Sequence, residues 1–263
     1  MITLINFYQF QYNGLSLRNN FGQNICFLNS LVQCLLGLES FKELIPLFDM
    51  TCDTKFVDVY NQRETSLEWL RQILLARNND FVIGRHCDSA EAMVVLLEYL
   101  RDTSGDTVDY PVLHQEAVTC SSCNQGFIRR SENDLGDDFL QIALTEYPTA
   151  DDVQGLLEEF ISEVEKEVQC IHCHAVSLSR CQNEIIRTGN VLILTISRLD
   201  EQGNTIDTPL IPNTTIRFNG KNYSLKGFLH HSGNCKCCHS KNSLIKANFI
   251  QELGKKDTMK QIC

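Results

Sequence analysis

The sequence predicts an α+β fold in a single domain spanning residues 1–263. Three observations predict it. Apolar residues recur at helical spacing through the first hundred residues. Apolar and β-branched runs, bounded by turn residues, dominate the remainder. No internal repeat or long linker divides the chain, so helices and strands are segregated within one unit. With 263 residues, 43% of them hydrophobic, the chain is long enough and apolar enough to bury a sizeable core.

Residues 1–25 are turn-like and polar after an apolar start. Helices are expected in 26–48, 65–77 and 88–101. In the third, Asp88 and Ser89 stand where a cap is needed, and Met93, Leu96, Leu97 and Leu100 share one face. A polar, acidic connector covers 102–110. Strands are expected at 116–119 and 138–144, then an acidic amphipathic helix at 151–167. The run 191–196, rich in β-branched and apolar residues, reads as a buried strand. Two more strands, 214–218 and 223–230, flank Asn219-Gly220, a hairpin-turn pair.

Charge and composition exclude several classes. Lys and Arg number 23 against 33 Asp and Glu, a net charge of -10. That argues against a nucleic-acid partner and suits a basic protein partner. No apolar run reaches membrane-spanning length. No charged segment precedes the first apolar residues, so no signal peptide is expected. Thirteen cysteines, an odd number, favour reduced thiols in the cytosol or nucleus, some of them holding metal, over a disulfide framework.

Cys26 closes a polar, glycine-containing loop and opens the first helical pattern, with Leu28, Leu31, Val32, Leu35, Leu36 and Leu38 behind it. A helix N-terminus favours a thiolate and suits a nucleophile. On the local pattern alone, a buried structural cysteine opening a core helix is the favoured reading, since free cysteines are among the most buried residues.

Two Cys-x-x-Cys pairs, Cys120 with Cys123 and Cys170 with Cys173, can each place two sulfurs on one ion from a tight turn. Together they form a four-thiolate set that favours one structural Zn2+. Redox or buried cysteines are the alternative, and Cys170-x-x-Cys173-His174 also imitates a haem-attachment sequence. Further on lie His230, His231 and His239, with Cys235, Cys237 and Cys238 between them. A thiol nucleophile needs an imidazole of this kind as base and then acid. The same cluster could instead hold a second metal, given one outside ligand.

Taken together, these stretches resemble the ubiquitin-specific proteases, cysteine-protease deubiquitinases. Asn24-Ile25-Cys26-Phe27-Leu28-Asn29-Ser30-Leu31-Val32-Gln33 is similar to the family's cysteine box. Asp88-Ser89-Ala90-Glu91 before Leu96-Leu97 resembles its aspartate-x-x-glutamate helix. The paired cysteines fall where the family carries zinc-binding fingers. Residues 190–198 resemble its apolar strand ending in arginine. Tyr223-x-Leu225-x-Gly227, then His231-x-Gly233 and His239, resemble its histidine box. The likeness spans nearly the whole chain, in the family's order.

The resemblance implies a papain-like fold of the family's type: a helical thumb over about 1–110 and a β palm over about 111–263, with zinc-binding β fingers at 116–185. It implies a monomeric thiol-dependent hydrolase that cleaves the isopeptide bond at the C-terminal glycine of ubiquitin or a ubiquitin-like modifier. Cys26 would be the nucleophile and His239 the base. Asp257 would orient the imidazole, although it is equally a charged residue in a polar tail. Asn20, with Asn19 behind it, would donate to the oxyanion. Asp88, Glu91 and His231 would meet ubiquitin; for the two carboxylates an N-cap and a solvated helix face are equal alternatives. Cys120, Cys123, Cys170 and Cys173 would hold the zinc. Three residues separate Gly22 from Cys26 where the family has two, and Ser240 replaces the aromatic after the histidine. These departures frame the alternative of a weak or inactive pseudo-enzyme that binds ubiquitin without cleaving it.

Overall fold

A computed structural model describes residues 16–85, 87–105, 112–130, 139–146, 149–198, 202, 206, 210–229 and 246–252. Five helices come first: α1 (Cys26–Leu36), α2 (Glu39–Thr51), α3 (Phe56–Tyr60), α4 (Glu68–Arg77) and α5 (Ser89–Ser104). The single helix expected over 26–48 is two. Gly37 closes α1 by bonding back to the Cys34 carbonyl, and Leu38 turns extended at ψ 124° with its side chain fully buried. Helix α3 has no strong signal of its own. The Asp49 carboxylate of α2 accepts the Phe56 and Val57 N–H groups at 2.9 and 2.8 Å and caps its start.

Among the described residues the second part holds nine strands and one α-helix: β1 (Val112–Thr119), β2 (Gly126–Arg130), β3 (Leu140–Ala143), α6 (Val153–Phe160), β4 (Glu163–Gln169), β5 (Val176–Thr188), β6 (Val191–Ser197), β7 (Thr215–Phe218), β8 (Lys221–Phe228) and β9 (Lys246–Glu252). They make a four-stranded antiparallel sheet, β2-β1-β5-β4, and a five-stranded sheet, β3-β6-β9-β8-β7, in which only β3–β6 is parallel. The helix expected over 151–167 is corrected. It ends at Phe160, and residues 163–169 form β4. Val164, Lys166 and Val168 alternate there with exposed glutamates, the period of a strand.

Strand β6 explains the packing. Val191 and Ile193 join a core with α1, α2, α4 and α5, while Leu192, Leu194 and Ile196 join another with α6. A strand covered on both faces needs a nearly continuous apolar run, and residues 191–196 supply one in which only Thr195 is polar. Asn219 and Gly220 turn β7 into β8 with φ of 48° and 75°, the expected hairpin geometry.

Candidate active site and metal centre

Cys26 is the first residue of α1 and is exposed, whereas Ile25, Phe27, Leu28 and Asn29 around it are buried. The neighbours anchor the backbone on the core, and the thiol alone in this run faces outward. That excludes the buried structural cysteine that the local pattern allowed. Ile25, at the cap position, offers no side-chain bond to the first turn. The loop in front is held otherwise. Gly22 and Asn24 take φ of 82° and 51°. The Asn20 N–H donates to Gln23 Oε1, and the Gln23 N–H to the Asn20 carbonyl, both at 3.0 Å. Asn19 Oδ1 accepts the Ile25 N–H at 3.1 Å, so Asn19 is engaged in the loop's own architecture while Asn20 is exposed. Asn24 Nδ2 donates to the Gly84 carbonyl at 2.5 Å, tying the loop to the segment before α5.

Arg71 of α4 is fully buried beneath this loop. It donates from Nη1 to the Gln23 carbonyl and from Nη2 to the Asn24 carbonyl, the latter at 2.8 Å. Sequence reasoning missed it. The signal was a charge at a position that shares the buried face of Leu67, Leu70 and Leu74.

Helix α5 starts beside α1. The Ser89 hydroxyl donates to the Phe27 carbonyl at 3.3 Å, and Phe27 stacks on Phe81 at 6.0 Å. Asp88 caps α5, accepting the Ala90 N–H at 2.7 Å. Glu91 is exposed and accepts from Asn78 Nδ2 at 3.0 Å. Both carboxylates thus have structural work beside whatever ligand they meet.

Strand β8 carries the histidine-box residues Tyr223, Leu225 and Gly227. Tyr223 is fully buried, its hydroxyl on Thr188 Oγ1 at 2.8 Å. Helix α1 lies against this strand, with Cys34 at Gly227, and Leu229 packs on the core that holds Ile25 and Phe27. Strands β8 and β9 pair antiparallel. In sequence His231 and His239 follow β8 and Asp257 follows β9; all three lie outside the described residues.

The four cysteines converge. Among the described residues Cys120, Cys123, Cys170 and Cys173 form a group with all sulfurs within 4.8 Å of one another. Cys120 and Cys173 are 3.8 Å apart, Cys123 and Cys170 3.7 Å. A tetrahedron with metal–sulfur bonds of about 2.3 Å has edges of about 3.8 Å. The donor set therefore fits a four-thiolate ion with no open position. The two turns are built alike. Cys120 N–H bonds to Gln125 O and Asn124 N–H to Cys120 O; Cys170 N–H bonds to Ala175 O and His174 N–H to Cys170 O. Asn124 and His174 take φ of 56° and 58°. The Cys123 backbone N–H, foremost among its neighbours, holds the Cys120 thiol down to about 6, against desolvation. Against the Gln125 backbone bond, desolvation and hydrogen bonds to the other three sulfurs push the Cys123 thiol up to about 12, so the group holds protons that a bound ion would displace.

The model of the ubiquitin carboxyl-terminal hydrolase family matches residues 17–243. Comparison with curated proteins gives no match. Among solved structures, the chain resembles a SAGA DUB module containing a cysteine-to-alanine Ubp8 variant with Sgf11, Sus1 and Sgf73, bound to monoubiquitin. There the TM-score is 0.64 at 15% identity, covering 95% of this chain and 67% of the other. The same module bound to ubiquitin aldehyde gives a TM-score of 0.64 at 14% identity, covering 95% and 68%. A yeast SAGA DUB module with an Sgf73 variant gives 0.60 at 14%, covering 95% and 67%. At these identities the likeness establishes the fold, papain-like and of the ubiquitin-specific-protease type. With most of its length matched by the family model, the chain belongs to the ubiquitin carboxyl-terminal hydrolases.

Proposed function

We propose that the protein is a thiol isopeptidase that removes ubiquitin, or a ubiquitin-like modifier, from conjugated proteins. One observation carries the reading: in a chain of this family, Cys26 opens α1 as the one exposed residue between buried neighbours. The Cys26 thiolate attacks the carbonyl of the modifier's C-terminal glycine. His239 takes the thiol proton and returns it to the lysine amine as the C–N bond breaks; water then hydrolyses the thioester. Asp257 orients the imidazole, and Asn20 donates to the oxyanion beside backbone N–H groups. Asp88 and Glu91 meet the basic tail of ubiquitin, with His231 nearby. Ubiquitin bound to two of the structural neighbours supports this partner.

In the proposed division, about 1–110 is the thumb, about 111–263 the palm and 116–185 the fingers. The ion at the four cysteines is Zn2+, which braces the fingers and takes no part in the chemistry. The working unit is one chain in the cytosol or nucleus; nine free thiols among the described residues suit a reducing compartment.

Ubiquitin carrying a C-terminal electrophile tests the activity. The expected result is a covalent adduct at Cys26, lost in Cys26→Ala. The longer loop from Gly22 to Cys26 favours a second reading, a ubiquitin binder without turnover. Tight binding of ubiquitin with no adduct would establish that reading in place of the first.

A further inference from the structure

We infer that Arg71 is a positioning residue for the nucleophile, a clamp that fixes the backbone just before Cys26 and bears on the Phe27 ring just after it. The inference rests on the reading of Cys26 as the reacting group. The side chain is 0% exposed on the apolar face of α4, between Leu70 and Leu74, where a guanidinium is costly unless its donors are used. Two of them go to successive carbonyls, Gln23 and Asn24, just before the cysteine. The guanidinium carbon also lies 5.4 Å from the centre of the Phe27 ring, just after it. One side chain thus grips residues 23, 24 and 27.

The loop needs such a grip. Asn24 sits at φ 51°, in the left-handed region that asparagine adopts more readily than other non-glycine residues. Ile25 supplies no side-chain cap to α1, so the first turn takes its direction from the loop rather than from a cap. Three residues rather than two separate Gly22 from Cys26, which lengthens the stretch to be fixed. The planar fork of arginine matches two adjacent carbonyls at once, and a lysine ammonium cannot reproduce that geometry. The Asn19–Ile25 and Asn24–Gly84 bonds hold the loop's outer side; Arg71 holds it from the core.

The test uses the full chain with Arg71→Met, which keeps bulk and helix propensity, and Arg71→Lys, which keeps the charge. Hydrolysis of a ubiquitin C-terminal fluorogenic substrate gives kcat and KM, melting gives the folded fraction, and amide exchange reports local opening. A clamp predicts kcat down about 100-fold in both variants, the scale of a small misplacement at a reacting centre. KM should stay within about threefold, and exchange should rise at residues 23–28 but not in α5 or the five-stranded sheet. Wild-type kcat in folded Arg71→Met overturns the inference. So does a loss of activity that only tracks the folded fraction, with exchange raised throughout the helical core. If the wild-type chain neither turns over nor labels with the electrophilic probe, the deubiquitinase reading fails instead, and exchange at 23–28 alone decides whether the clamp exists.

Discussion

A methyl group placed on Gly227 would lie 3.0 Å from the Cys34 sulfur and 3.4 Å from its Cβ. This contact joins the helix that starts with Cys26 to the strand that leads toward the histidines. A side chain larger than hydrogen would make the Cys34 sulfur give way by a few tenths of an ångström.

Gly227→Ala should therefore push α1 off the sheet. Overpacking of this size costs about 1–3 kcal/mol, and the melting temperature should fall by several degrees. Cys34→Ala in the same chain removes the clashing sulfur and should restore part of the loss. A double variant no more stable than Gly227→Ala alone would show that the contact does not set the spacing.

The four-cysteine centre predicts a second result. Its end of the four-stranded sheet buries little apolar surface beyond Val118, Phe127, Val168 and Cys181. The ion must supply much of the cohesion there, since structural zinc contributes folding energy directly. Cys120→Ser or Cys170→Ser should each lose the ion and melt the sheet well below the wild-type temperature, as elemental analysis and circular dichroism would report. Retained stoichiometry with an unchanged melting curve would refute the assignment.

What could be read in the sequence follows from how local each signal is. The start of α1 at Cys26, the β6 run, the Asn219-Gly220 turn and the Cys-x-x-Cys pairs are written in adjacent residues, and the structure places them as expected. Strand β4 reads as helix in the sequence because glutamates alternating with valines directly after α6 extend an acidic amphipathic stretch. Only pairing with the 13-residue β5 decides its state. Helix α3 depends on the Asp49 carboxylate from the preceding helix, and Arg71 acts on a loop 47 and 48 residues away. No local window contains both partners of the Arg71 bonds, and the Asp49 cap, though only seven and eight residues ahead of its N–H donors, is a side chain of another helix.

Thiol chemistry separates Cys26 from Cys34. Burial against β8 pushes the Cys34 thiol from 9.0 up to about 12, so it stays protonated across the working range. Iodoacetamide at pH 8 should modify exposed Cys26 in the native chain and reach Cys34 only after denaturation, as peptide mapping would show. The unfolded chain releases the Cys34 proton near 9.0 and the folded chain holds it to about 12. The contribution of this group to stability is therefore complete below pH 9 and lost as pH rises toward 12. Native-state alkylation of Cys34 at a rate matching Cys26 would contradict its burial.

Asp88 offers the sharpest separation of structure from recognition. Its carboxylate caps α5 through the Ala90 N–H at 2.7 Å, and the proposed function also gives it the basic tail of ubiquitin. Asparagine caps a helix about as well as aspartate, whereas alanine costs about 1 kcal/mol. Asp88→Asn should thus melt close to wild type while KM for a ubiquitin substrate rises severalfold, because only the charge is gone. Asp88→Ala should show the same rise in KM together with lower stability. The pair is informative because the two roles draw on different properties of one side chain, an acceptor oxygen for the helix and a negative charge for the ligand. An Asp88→Asn enzyme with unchanged KM would leave Asp88 as a helix cap and assign recognition of the tail to other residues.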